Sequence, residues 1–170
     1  MKNLILLMIG FCFLLISFNS SAQTIISSAD FKSLIGYWSG TLTYLDYQNG
    51  EPFSLPVELR VVQIEETNNF TFYFSFPNEP HANSEETVSI SDDGTMLKGN
   101  LVISKRSLDD AKLEVVTESM GTDDEKPATI RQTYIIAADV FIYKKDVLFE
   151  GTQEWLNRNE FNFKKVLKKE

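Results

Sequence analysis

The sequence predicts an all-β protein, an antiparallel up-and-down barrel of about 8–10 strands led by a short helical turn. Two observations carry this. From Tyr37 onward the apolar residues recur with the two-residue period of strands, and no helical period returns. Tight turn signals such as Asn49-Gly50 and Asp93-Gly94 separate consecutive runs. Sequential strands joined by tight turns favour a meander closed into a barrel over a Greek-key sandwich, which needs long return connections.

The chain has 170 residues. Residues 1–22 read as a signal peptide to be cleaved: Lys2, an apolar run from Leu4 to Phe18, and small residues Ser20 and Ala22 before the cut. An apolar run of about 15 residues is short of the roughly 20 that span a bilayer as a helix. The expectation is therefore export to the periplasm or the exterior, with no stable membrane insertion after cleavage. Residues 23–170 are then expected to form one barrel domain, long enough to bury a sizeable core. Cys12, the only cysteine, would leave with the signal, so the mature chain would hold no disulfide and no cysteine metal ligand.

Loss of Lys2 moves the formal net charge from −8 to −9. Such acidity argues against nucleic acid, whose binding depends on clustered Lys and Arg. Lys164, Lys165, Lys168 and Lys169 read as a solvated strand end.

Element by element, Ala29 to Ile35 should form a helical turn or two, capped by Ser28 or Asp30 and stopped by Gly36. Tyr37–Tyr47 is the first strand. Phe53–Glu66 is the second, where the pattern slips at Val61-Val62 and predicts a β-bulge. Phe70, Phe72, Phe74 and Phe76 alternate in the clearest strand, which Pro77 and Pro80 end. Thr87–Ser91 follows. Met96–Lys105 should then place Leu97, Gly99, Leu101 and Ile103 on one face. Lys112–Ser119 leads into an acidic loop, Thr122 to Lys126, expected to be exposed. Thr129–Ala137 groups Ile130, Tyr134 and Ile136. Val140–Glu150 and Asn157–Leu167 close the chain, with Phe161, Phe163 and Leu167 in phase.

Phe31 to Gly40 resembles the start of a lipocalin-like (calycin) domain, in which a helical turn precedes Gly-x-Trp at the opening of the first strand; here that motif is Gly36-Tyr37-Trp38. The resemblance implies a lipocalin-like barrel with Trp38 plugging one end. It also implies an arginine near the last strand packed across the indole, a place that Arg158 would take, as a cation–π contact. These roles are structural and leave function open.

Three functional readings follow. The first is a non-enzymatic binder of a small apolar or amphipathic ligand, with Phe70, Phe72, Phe74, Phe76, Tyr134, Phe161 and Phe163 lining the cavity; the same rings are good core material, and filling the barrel is the simpler account of them. The second is a surface module for an envelope protein or carbohydrate, using Tyr37, Tyr44, Tyr47, Tyr73 and Trp155.

The third is an enzyme, and no catalytic constellation supports it. His81 is the sole histidine and sits in a loop, which reads as solvent-exposed. Haem barrels of related shape place a histidine on the iron, and only His81 could do so here. Among the acids Asp46, Glu58, Glu65, Glu114 and Glu118 nothing selects a glycosidase pair. Asp92-Asp93-Gly94 and Asp123-Asp124-Glu125 lack the spacing of a calcium loop. No metal and no cofactor is therefore expected, and the expected partner is a small apolar ligand.

Overall fold

The computed structural model describes residues 24–46, 49–109 and 111–167. The signal segment, Tyr47, Lys168 and Lys169 lie outside the described residues. Among the described residues no helix is long and apolar enough to cross a membrane.

A short helix α1 (Ser28–Phe31) runs into a 3-10 turn (Lys32–Leu34). Its cap is Ser27, one residue earlier than expected: the Asp30 carboxylate accepts the Ser27 N–H at 2.7 Å, one half of a capping box. Ten strands follow: β1 (Gly36–Leu45), β2 (Pro52–Gln63), β3 (Asn69–Ser75), β4 (Ser84–Ser89), β5 (Met96–Leu97), β6 (Asn100–Ser107), β7 (Leu113–Asp123), β8 (Lys126–Ile136), β9 (Val140–Phe149) and β10 (Leu156–Val166). They form one antiparallel sheet in the order β4-β3-β2-β1-β10-β9-β8-β7-β6-β5. Pairing of β1 with β10 joins the two ends of the chain. The sheet then nearly closes on itself, because Ile90 beyond β4 bridges to Leu97 in β5 and the Lys98 N–H donates to the Ser89 carbonyl at 2.8 Å. Closure of this kind removes the exposed edges that an open sheet would present.

Several local expectations are corrected by this register. The pairing of β2 with β3 runs unbroken from Glu58 to Gln63, so no bulge occurs at Val61-Val62. The alternation simply continues, and Val62 and Ile64 lie outside, exposed. The expected single strand over Met96–Lys105 is two strands. Lys98 (φ 54°) and Gly99 (φ 76°) both adopt positive φ, the geometry of a two-residue hairpin turn. That turn resets the phase, so Val102 is buried while Leu101 and Ile103 face solvent. Leu167, placed in phase with Phe163 by sequence, lies past the end of β10 and is exposed.

The core fills one end of the barrel. Phe31 of α1 meets the rings of Phe70 and Tyr134 at centroid distances of 6.0 and 6.2 Å. Trp38 and Phe72 both pack on Phe141 in edge-to-face geometry, at 6.2 and 6.0 Å, so the rings touch across the barrel. The helical segment closes this end like a stopper: the indole Nε1 of Trp38 donates to the Leu34 carbonyl at 2.7 Å, and the Ile26 N–H to the Gly94 carbonyl at 2.9 Å. Lys105 of β6 pairs with Asp30 at 2.8 Å, fixing the stopper from the far wall. Gly40, two residues from Trp38, lets β1 press against β10; a Cβ there would overlap the Asn162 carbonyl.

Replacing Trp38 with alanine removes the largest fully buried side chain and one of the bonds holding the stopper. The expected cost is about 3–5 kcal/mol, read as a lower denaturant midpoint. A change under about 1 kcal/mol would show that the stopper is not part of the cooperative core.

Candidate functional site

The inward faces of the strands differ between the two ends. Around Trp38 the inward side chains, including Leu34, Phe70, Phe141 and Phe163, are at most 1% exposed. Higher in the barrel, Leu42, Tyr44, Tyr143, Phe161, Gln132 and Lys145 also point inward by register, yet are only half-buried. They sit mid-strand, not at frayed ends. Solvent therefore touches part of the interior beyond the packed end, although Val147 and Ala128, farther along β9 and β8, are again fully buried.

This upper interior has two chemically distinct walls. One is apolar: Phe74 packs on Phe161 at 5.2 Å with the rings tilted by 42°, and Leu42 and Leu55 lie beside them. The other is polar and comes from β4, the β5–β6 turn and β7 to β9. Lys98 reaches from the hairpin turn to the Glu86 carboxylate, joining the turn to β4. Its ammonium lies 5.9 Å from the Tyr143 ring. Burial holds the Lys98 ammonium below the usual lysine range.

Tyr143 stacks on Tyr134 at 4.8 Å, and the Tyr134 hydroxyl donates to Gln132 Oε1 at 3.1 Å. Next in register on β7 stands Thr117, 1% exposed, whose hydroxyl has no hydrogen-bond partner among the described residues. On the other side of Gln132, Lys145 donates to Asp123 at 2.5 Å. Asp123 is buried, contrary to the exposed loop expected for Thr122 to Lys126. Only Asp124 and Glu125, both at positive φ, form the exposed turn that follows it.

Arg158 does not lie over Trp38. It is the extra residue of a β-bulge in β10, where pairing with β9 shifts between Asn157 and Asn159. A bulge re-aims a side chain, and here the guanidinium turns to Asp123 (3.5 Å) and donates to the Leu45 carbonyl at the end of β1. The cation over the indole is instead Lys165, directly opposite Trp38 in register, with its Nζ 5.0 Å from the ring and 2.6 Å from the Ser33 carbonyl. Asp123, Lys145, Arg158 and the end of β1 thus form a clasp across the open end.

Of the cavity candidates read from sequence, Phe70, Phe72, Tyr134 and Phe163 belong to the packed end. Phe74 and Phe161 face the open half, and Phe76 is buried just beyond β3. Gly36 opens β1 at φ 127°. His81 is exposed in a 3-10 turn (Pro80–Ala82). Among the acids weighed earlier, Glu114 and Glu118 pair on the outer surface with Arg106 and Arg131, and Glu65 lies in an exposed turn. Asp93 serves its own hairpin turn, where bonds from Ser91 and Thr95 lower its pKa.

Sequence reasoning missed Glu86, Lys98, Thr117, Asp123 and Lys145. Two carried a usable signal, since Glu86 alternates with Val88 and Ile90, and Lys145 with Tyr143 and Val147. A polar residue in phase with an apolar face is an inward one.

On the outside, Tyr37, Tyr73 and Arg60 border a groove of about 520 Å³ across β3, β2, β1 and β10, with Arg60 stacked 4.3 Å over Tyr73. Trp155 is separate, covered by Arg131 at 3.9 Å. Tyr44, expected outside, faces inward against Phe53.

The chain matches no protein-family model and no curated protein. Among solved structures, the crystal structure of Rv2717c from M. tuberculosis is similar, with a TM-score of 0.54 and 14% identity over 81% of this chain and 96% of that one. Identity this low shows a shared fold alone.

Two outcomes follow from the site. Burial raises the pKa of Tyr134 well above 10.0, assisted by Tyr143, and burial also raises that of Tyr143. An acid whose folded pKa is raised contributes stability that is full below its unfolded value and lost as pH climbs toward the folded one. Ultraviolet titration should therefore show Tyr134 and Tyr143 silent where ordinary phenols ionise, and stability falling above about pH 10. Changing both to phenylalanine should remove the silent pair and flatten that alkaline loss. Separately, Asp123→Asn leaves Lys145 and Arg158 facing a neutral amide. Because both cations are partly exposed, the expected cost is about 1–3 kcal/mol, measurable by denaturant unfolding.

Proposed function

We propose that this protein is an exported, non-enzymatic, lipocalin-like binder that holds a small amphipathic ligand in the open half of its barrel. The observation that carries this reading is the two-walled interior. A filled barrel needs only apolar side chains, whereas this one places Lys98, Glu86, Gln132, Thr117 and Lys145 inside, opposite Phe74, Phe161 and Leu42. Polar groups drawn out of water are costly unless partnered, so a polar wall facing an apolar one suits a molecule with both characters.

The lipocalin likeness is supported by Gly36-Tyr37-Trp38 at the opening of β1, by Trp38 beneath the helical stopper and by a basic side chain over its ring, although the base is Lys165. Export rests on the apolar leader and its small-residue cleavage site.

A second reading is favoured by the outer groove. There Tyr37, Tyr73 and Arg60 could meet a protein or carbohydrate, leaving the barrel empty of ligand.

Native mass spectrometry of the protein purified from its own cell envelope without detergent tests both. The expected spectrum shows a chain beginning at Gln23 with a reproducible added mass that is lost on activation. An intact leader would refute export by cleavage. A bare mass under gentle conditions would overturn the binder reading and turn attention to Tyr37 and Tyr73.

A further inference from the structure

We infer that the outer groove binds an uncharged oligosaccharide, with a sugar ring laid against Tyr37 and its hydroxyls held by Arg60 and Glu58. This rests on the surface reading of that groove, names the class of its ligand and is independent of what the barrel holds.

The groove arises from side-chain heights on one sheet face. In register, Tyr73, Arg60, Tyr37 and Val166 stand in one row across β3, β2, β1 and β10. The next row is Ser75, Glu58, Ser39 and Lys164. The two short serines lie beside the tall rings and leave a cleft of about 520 Å³. That volume falls within the roughly 300–1,000 Å³ of small-molecule sites. A specific protein interface, by contrast, spreads over about 800 Å² on each partner. A peptide strand finds no edge to extend here, because β1 and β2 are each paired on both sides.

Charge points to the class of ligand. Glu58 and Arg60 line the groove, while Lys164 and Glu85 flank it, opposite Ser39 and Tyr73 in register. All four are exposed, and none has an ion pair or a side-chain hydrogen bond among the described residues; Arg60 only lies over the Tyr73 ring. Elsewhere on the outer surface facing charges are paired, Arg106 with Glu114, Arg131 with Glu118 and Lys144 with Glu160. Two acids and two bases balance, so this face favours neither a polyanion nor a polycation. It suits a neutral ligand that meets donors and acceptors alike, and a hydroxyl does both. The apolar C–H face of a sugar ring matches Tyr37, whose ring carries no cation or second ring among the described residues. Val166, 40% exposed, extends that apolar side.

The test is isothermal titration calorimetry of the purified protein with uncharged hexasaccharides of glucose, mannose and N-acetylglucosamine. Hexagalacturonate is the charged control. At least one uncharged chain is expected to bind about tenfold more tightly than the control, with little dependence on salt, since no net charge is screened. Tyr37→Ala should weaken that binding about tenfold, the scale of a central aromatic contact. Glu58→Gln keeps the shape but loses a charge-assisted acceptor, and should cost about fivefold. Ser39→Trp fills the floor of the groove and should abolish binding. All three positions lie on the outer face, so an unchanged denaturant midpoint establishes that each variant has an intact barrel.

No binding by any uncharged chain would overturn the oligosaccharide assignment. So would a preference for hexagalacturonate, or binding that survives both Tyr37→Ala and Ser39→Trp. A photo-crosslinking residue placed at Ser39 in living cells then separates the two failures. A protein captured there leaves the groove as a contact surface with a different occupant, and the absence of any adduct sinks the surface reading as well.

Discussion

Trp38 is the point on which the rest of the barrel depends. Its indole donates to the Leu34 carbonyl, packs against Phe141 of the far wall and lies beneath Lys165, which in turn caps the Ser33 carbonyl. One side chain thus binds the helical segment, the first strand and the last strand. A meander has its two terminal strands far apart in sequence, and bringing them together carries a loop-closure cost that nearby contacts must offset. The contacts at Trp38 supply that compensation where β1 meets β10. They also end the helix: its last carbonyls, which would otherwise lack donors, are taken by Trp38 and Lys165.

Closing one end tightly has a consequence for the other. Beyond the packing of Trp38, Phe72 and Phe141, the rings of Tyr143 and Phe161 stack on each other but are only partly buried, so water touches them. In that wetter, partly enclosed space an ionic side chain is tolerable if it meets a partner. Lys98 and Lys145 each do, through Glu86 and Asp123. The interior is thus asymmetric, with a dry end at Trp38 and a half in which apolar and charged side chains face each other.

The burial of Phe70, Phe72, Phe74 and Phe76 was legible from alternation, because a period of two leaves an aromatic run only one face to share, and the meander order from the turn signals between runs. The polar wall was not. Asp123 sits in a run of acids that reads as solvated loop, and only the curl of the β7–β8 hairpin toward Arg158 and Lys145 reveals it as an interior group. Arg158 misled for a related reason. Alternation counts residues and cannot count a bulge, so the extra residue between Asn157 and Asn159 fell outside the pattern. In the same way, Lys98-Gly99 carries no Asn-Gly or Asp-Gly signal, and its left-handed turn split one expected strand into two.

That turn also explains why an ion pair sits where it does. Between β4 and β5 the barrel is joined by the Ile90–Leu97 bridge and by the bonds from Lys98 N–H to the Ser89 carbonyl and from Ser91 N–H to the Met96 carbonyl. Apart from the short β5–β6 hairpin, the other neighbouring strands share longer ladders. The Lys98–Glu86 pair spans this weakest junction, linking the β5–β6 turn to β4 by side chains where backbone bonds are few. A hydrophobic contact could bridge the gap as well, and buried ion pairs are often no better than apolar replacements for stability alone. What an apolar pair could not do is present an ammonium to the interior beside Tyr143. The junction therefore accounts for the need of a contact at this place, and the partial exposure of both side chains lets that contact be a charged one.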